Sequence, residues 1–328
     1  MAKRLMEIHN LKTYFHTKQS VVRAVDGVDL EVKEGQILCI VGESGSGKSI
    51  TSLSIMQLLP KPMGRIEEGQ VLFEGKDLTK LSEKEMADIR GDRISMIFQE
   101  PMTALNPVMK VGEQITEVLI RHRQVSHAAA KAKAVEMLHF VGVPRAEHII
   151  NEYPHQLSGG MRQRIMIAMA MVCEPKLLIA DEPTTALDVT IQIQVLELMK
   201  KMRDELNTSI ILITHDLGVV AEMADHVIVM YAGQVVENAS ADAIFMKPLH
   251  PYTQALLASI PSLEEEKEVL YSIPGTVPNA ADFPPGCRFA ERCSMAQPSC
   301  VQAMPELREI GPGHYVRCTL VDNGGGPE

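Results

Sequence analysis

The residues with the most chemistry in their spacing are Gly42-Glu43-Ser44-Gly45-Ser46-Gly47-Lys48-Ser49, which follow the pattern G-x-x-x-x-G-K-[ST]. Glycines so spaced let successive backbone N–H groups turn inward and cradle phosphate oxygens. A helix beginning near Lys48 adds its positive end to the same site. Lys48 is spaced to reach β- and γ-phosphates, and Ser49 to ligate Mg²⁺. The complementary half is Leu177–Glu182, an apolar run that delivers Asp181 to the C-terminal end of a strand, where ligands of α/β sheets sit. Asp181 can hold Mg²⁺ through water, because that ion keeps part of its hydration shell. Glu182 is then placed to polarise a water towards a γ-phosphate. Adjacent carboxylates repel unless a cation or a proton separates them. Either half alone could be a glycine turn or a pair of capping carboxylates; together they point to a nucleotide.

A second group lies near the C-terminus. Cys287, Cys293, Cys300 and Cys318 are separated by five, six and seventeen residues. Zinc knuckles use tighter C-x₂₋₄-C pairs, whereas Fe–S clusters accept four cysteines on wider loops. In a reducing cytosol such a group reads as a metal site before a disulfide framework. Zinc, a disulfide pair and four free thiols stay open as alternatives. His314, close to Cys318, reads as a spectator. Cys39 and Cys173 sit alone in apolar segments and read as core thiols.

The elements that must carry these residues alternate in type. Leu5–Ile8 and Val21–Val32 alternate apolar and polar residues as strands do, and Ile37–Val41 is a continuous apolar run of a buried strand. Ser49–Leu59 has helical spacing and stops at Pro60. Ile94–Phe98, Leu177–Ala180, Ile210–Thr214 and Val227–Met230 read as strands, Met161–Val172 and Ile191–Leu206 as helices. Thr103 to about Tyr153 is helical throughout and forms a helical subdomain, about 103–160. Strands alternating with helices predict an α/β core.

The 328 residues suffice for about two domains. A hydrophobic content of 45% and a charged content of 23% exclude a largely disordered chain. The net charge of −10 speaks against binding nucleic acid through a broad basic surface. No apolar run approaches the ~20 residues of a membrane helix, and the stretch Met1–Glu7 meets a charge too soon for a signal peptide, with Glu7 only two residues after Leu5, the first apolar residue past the basic Lys3-Arg4 pair. A cytosolic protein that meets membranes only through partners is expected. After about 260 the character changes: the run Glu264–Glu268 is a solvated face, prolines multiply, and 323–327 reads as a frayed tail. A segment so poor in apolar periodicity needs its cysteines to be ordered.

Between the two nucleotide motifs lies Leu157-Ser158-Gly159-Gly160-Met161-Arg162-Gln163; Ala186-Leu187-Asp188 follows Glu182, and Thr214-His215-Asp216 ends a later strand. In kind and order these motifs resemble an ABC-type ATPase cassette, over about residues 5 to 260, with Leu157–Gln163 resembling the signature motif of that family. The resemblance implies a P-loop NTPase core with an antiparallel β subdomain and a helical subdomain, using ATP and Mg²⁺. It implies Glu182 as general base and His215 as the switch that contacts the γ-phosphate. Gln99 would touch Mg²⁺ and relay to a membrane partner. Phe15 would stack on adenine, with Tyr14 as the other candidate. Ile50, where the family more often has threonine, would contribute its backbone N–H. Ser158, Gly159 and Gly160 would contact ATP held by a second cassette.

Phe98–Pro107, Met230–Glu237 and His250-Pro251-Tyr252-Thr253 narrow the resemblance to the dipeptide and oligopeptide importer branch, and the cysteine region is similar to the same branch. This implies a [4Fe–4S] cluster on the four cysteines, with a structural role. It implies an ATPase domain over 1–260 and a transporter-type extension over 261–328. The partners implied are a second, unlike ATPase subunit, two membrane permease subunits and, indirectly, an extracytoplasmic peptide-binding protein, with the chain at the cytoplasmic face of the membrane and no nucleic acid. A nickel or other small-solute importer is the alternative cargo. A soluble ABC-type ATPase of DNA repair or translation is a different class; a single cassette and a modest interval between Ser49 and Leu157 speak against it.

Overall fold

The computed structural model describes residues 3–99, 105–185, 187–260 and 272–321. Parts of several sequence-based readings lie outside these residues: 100–104 of the importer-branch motif, Ala186, the acidic run 264–268 and the tail 323–327. The described chain divides into two compact units.

One unit comprises 33–37 and 80–213 with Lys3. Its strands Ile94–Ile97, Leu177–Asp181 and Ser209–Ile213 are parallel neighbours in that order, with Ile97 beside Ala180 and Asp181 beside Ile213. Every residue of the three strands is buried, which explains why they read as continuous apolar runs rather than alternating ones. Much of the described chain between the first two strands is helical. Val111–Arg123 buries Val111, Ile115 and Leu119, one residue per turn on one face. His127–Phe140 starts at Ser126, whose hydroxyl accepts the Ala129 N–H, and Gly159–Met171 starts at Ser158 in the same way. The second of these begins two residues before the expected Met161, because the Ser158 cap rather than the apolar pattern sets its start. Asp188 likewise caps Val189–Leu206.

The other unit comprises 4–32, 38–79 and 214–321. Arg4–His16 is a central strand, next to Val21–Lys33 on one side and antiparallel to Gly64–Phe73 on the other. It runs well past the expected Leu5–Ile8. Asn10, at φ 49°, interrupts the alternation, and the register with Gly64–Phe73 shifts there before pairing resumes. In a second sheet of this unit, Ile37–Val41 runs parallel to His226–Tyr231; Gln234–Ser240, His314–Val316 and Arg308–Gly311 follow, each antiparallel to its neighbour. Lys48–Ile55 is the helix after Ile37–Val41. It stops four residues short of Leu59: Gln57 takes φ 50° and its side-chain amide bonds the Leu78 carbonyl. Among the described residues no helix is long and apolar enough to cross a membrane.

The last two strands attach 272–321 to this sheet, and a buried carboxylate fastens the junction. Glu237 is fully buried. Its Oε1 accepts from the Leu249 N–H (2.7 Å) and from His314 Nε2 (2.8 Å), and its Oε2 accepts the His250 N–H (2.9 Å). Three donors from two later segments thus meet one acceptor group. Glu237→Leu should destabilise the chain by about 3–5 kcal/mol, because it strands two backbone donors and a histidine. Urea unfolding measures the loss; a change under 1 kcal/mol would show that water replaces the carboxylate.

Candidate functional site

The phosphate-type loop belongs to the unit that holds Ile37–Val41. That strand is wholly buried and delivers the chain to Gly42, at φ 152°. A side chain there would meet the Met230 carbonyl at 2.2 Å, and one at Gly47, φ 99°, the Ala24 carbonyl at 2.4 Å. Both glycines are dictated by backbone approach as well as by conformation. Lys48 is buried and folded over the loop, donating to the carbonyls of Gly42 (2.6 Å) and Glu43 (3.0 Å) and to Ser46 Oγ (3.3 Å). Loop oxygens thus solvate an ammonium that a phosphate could take over. The Glu43 N–H donates to the Tyr252 hydroxyl at 2.8 Å, and the Gly233 N–H to the Ser46 carbonyl at 2.9 Å. Ser49 and Ile50 are half-buried in the first turn of Lys48–Ile55.

Two further expected residues lie in this unit. Phe15 is half-buried near the end of Arg4–His16, with its ring over Gly64, where an added Cβ would meet it at 2.8 Å. Its neighbour Tyr14 donates its hydroxyl to Asp26 at 2.6 Å, and burial raises that phenol far above its ordinary pKa. Asp26 also receives Arg288. His215 is exposed, just before the helix Leu217–Met223 that Asp216 caps.

The other unit carries the carboxylates. Asp181 is buried at the end of its strand. Glu182 follows in the left-handed region at φ 47°, a conformation unfavourable for glutamate by about 1–3 kcal/mol. It is held there by its N–H on the Ile213 carbonyl (2.9 Å). Its Oε2 accepts from Gln99 Nε2 at 2.9 Å and from Thr185 Oγ1 at 3.0 Å. Gln99 and Glu182, 83 residues apart, are thus brought together. Gln163, in the helix that Ser158 caps, is buried and donates to the Pro183 carbonyl at 2.6 Å. This fixes the signature helix to the turn after Glu182. Ser158, Gly159 and Gly160 line an open cavity with Leu187, Asp188 and Ile191. Thr185 and Gln163 carried no role in the sequence reading. Gln163 stood inside the signature motif, but its partner twenty residues on is visible only in three dimensions.

The four C-terminal cysteines line one small cavity with His250, Phe289 and Thr319. No disulfide joins any two of them. Burial, with the three other cysteines adding to it, pushes the Cys287 thiol up to about 11. His250 Nδ1 accepts the Tyr252 N–H at 3.0 Å, so the neutral ring carries its proton on Nε2. That nitrogen is buried and makes no hydrogen bond of good geometry, though the Arg317 carbonyl lies close to the ring. Burial pushes its pKa down to about 4, against the opposing pull of Glu237 and the nearby Arg317 carbonyl. His314 turns instead to Glu237. Among the described residues, no three His, Cys, Asp or Glu side chains are set to hold a single metal ion.

Known proteins share this arrangement. Residues 25–185 match the sequence profile of the ABC transporter family, and 236–300 that of the oligopeptide/dipeptide transporter C-terminal region. The oligopeptide transport ATP-binding protein AppD of Bacillus subtilis (strain 168) is 58% identical over 98% of both chains. OppD of the same organism is 55% identical over 97% of this chain and 89% of its own. The dipeptide transport ATP-binding protein DppD, also of that organism, is 50% identical over 98% and 96%. Among solved structures, a dimeric post-hydrolysis state of the ATP-binding cassette MJ0796 with ADP and Pi aligns over 72% of this chain and 98% of that one, with a TM-score of 0.65 and 28% identity. With its phosphate loop, its strand-end carboxylates and its capped signature helix in an ABC cassette fold, the chain belongs to the ATP-binding proteins of the oligopeptide and dipeptide ABC transporters.

Proposed function

We propose that this chain is the ATP-hydrolysing, energy-coupling subunit of a membrane importer for oligopeptides or dipeptides. Lys48 and the loop Gly42–Ser49 bind the triphosphate, and the backbone N–H of Ile50 adds a donor. Phe15 stacks on the adenine; the Tyr14 hydroxyl is already engaged by Asp26. Asp181, Ser49 and Gln99 offer oxygen ligands suited to Mg²⁺, which when bound neutralises charge on the β- and γ-phosphates. Glu182 takes a proton from the attacking water. Its carboxylate, fixed by Gln99 and Thr185 at a strand end, is the observation that carries this assignment. His215 contacts the γ-phosphate. Ser158, Gly159 and Gly160 serve ATP on a second cassette, a helix N-terminus being an anion site in its own right. The partners are a second, unlike ATPase and two permease subunits at the cytoplasmic face of the membrane, fed by a peptide-binding protein outside. By function the chain divides into an ATPase domain, 1–260, and an extension, 261–328, although 272–321 folds in one unit with the phosphate loop.

Glu182→Gln keeps the shape and removes the base. In the assembled transporter it should bind ATP nearly as wild type and hydrolyse it about 10²- to 10⁴-fold more slowly in a single turnover. Near-normal single-turnover rates would remove Glu182 from this role.

The C-terminal cysteines come together in space although they are spread over 32 positions of the chain. The four thiols line one cavity, and their spacing of five, six and seventeen residues is wider than the tight pairs of a zinc knuckle. We propose that Cys287, Cys293, Cys300 and Cys318 hold a [4Fe–4S] cluster, which when bound supplies folding free energy to a segment with little core of its own. Anaerobically purified protein should contain about four iron and four sulfide per chain, and Cys300→Ser should lose both and make 272–321 protease-sensitive. Stoichiometric zinc without iron would overturn the cluster.

A further inference from the structure

The second residue of the phosphate loop is an acid. Glu43 sits in a loop whose ligand carries several negative charges, and an unscreened carboxylate there would oppose binding. Its carboxylate is not left open. Arg292, from the turn Ala290–Arg292 that Cys287 and Cys293 bracket, meets it as a two-pronged fork, Nη1 to Oε2 at 2.6 Å and Nη2 to Oε1 at 3.0 Å. The Arg292 side chain is 6% exposed and held from other directions as well. Its Nε donates to the Pro274 carbonyl at 2.8 Å, its Nη1 also reaches the Tyr231 hydroxyl at 3.3 Å, and its guanidinium lies 5.7 Å from the centre of the Tyr231 ring. The Glu43 main chain is fixed at the same time, its N–H by Tyr252 and its carbonyl by the Lys48 ammonium.

We propose that Arg292 is a positioning residue for the phosphate loop: its guanidinium neutralises Glu43 and holds that carboxylate away from the ATP phosphates, so that the C-terminal segment sets the nucleotide affinity of the loop. A buried, preorganised arginine suits this role better than solvent or salt could, because both prongs are spent on one carboxylate with little freedom left to lose. The inference rests on the loop binding ATP as proposed above.

The test is a double-mutant cycle on the assembled transporter, reading Mg-ATP affinity with a fluorescent ATP analogue, together with KM and kcat. Arg292→Ala in the wild-type background should weaken binding and raise KM about tenfold at low salt, as expected for one uncovered charge near the phosphates, with kcat at saturating ATP within twofold. In a Glu43→Gln background the same Arg292→Ala change should cost less than twofold, since no charge remains to be covered. Arg292→Lys, which keeps the charge but loses the fork, should recover most of the affinity. A tenfold loss in both backgrounds would mean that Arg292 only stabilises the C-terminal segment, and no loss in either would mean that Glu43 needs no cover; each overturns the proposal. Failure of the wild-type protein to bind ATP at all would instead overturn the assignment of the loop.

Discussion

A loop that offers backbone N–H groups to an anion cannot use those groups to hold its own shape. Other parts of the chain must hold it, and much of this unit can be read as an answer to that constraint. Ile37–Val41 is buried on both faces, so the start of the loop cannot shift without moving the sheet. The carbonyls of Met230 and Ala24 press so close to Gly42 and Gly47 that no side chain fits there. Gly233 takes the Ser46 carbonyl, Tyr252 takes the Glu43 N–H and Arg292 takes its carboxylate. Lys48 lies across three loop oxygens until a better anion arrives.

The carboxylate end shows the reverse arrangement, in which strain is held by regular structure. Glu182 occupies a backbone conformation that glutamate disfavours, and its N–H prolongs the parallel pairing of Leu177–Asp181 with Ser209–Ile213 by one residue. The side chain is then aimed by Gln99 and Thr185 rather than by packing. Such a base is held without being buried.

Much of this was legible in the residues themselves. Gly42–Ser49 and Leu177–Glu182 are local motifs with the strand in front of each, and the buried strands announce themselves as unbroken apolar runs. The start of the signature helix could have been read from Ser158 as a cap. Gly64–Phe73 was missed because Glu67, Glu68, Gly69 and Gln70 give it a polar middle; its strand character comes from pairing with Arg4–His16. The C-terminal strands are three or four residues long and follow a proline-rich stretch, so their register depends on Gln234–Ser240, which precedes them by some 70 residues. The side-chain partners were the least legible part. Tyr252 and Arg292 reach Glu43 across 209 and 249 residues, and no local pattern encodes a contact of that range.

That range also gives the C-terminal segment its physical logic. A stretch rich in proline has little apolar area to offset the entropy of ordering it, and within it polar anchors accompany the few buried apolar ones, Phe289, Val316 and Val321. Arg288 and Arg292 stand four residues apart between Cys287 and Cys293. Arg288 reaches Asp26, which already holds the Tyr14 hydroxyl, and Arg292 reaches Glu43 in the phosphate loop. One short segment therefore ties itself to Val21–Lys33, the strand beside the one that carries Phe15, and to the loop that carries Lys48. Buried ion pairs of this kind add little net stability, because desolvation offsets much of their attraction, but leaving one partner unmatched is costly. Their contribution is to specify position: the segment can be ordered in one place only, and any group that gathers the cysteines orders the two arginines with them.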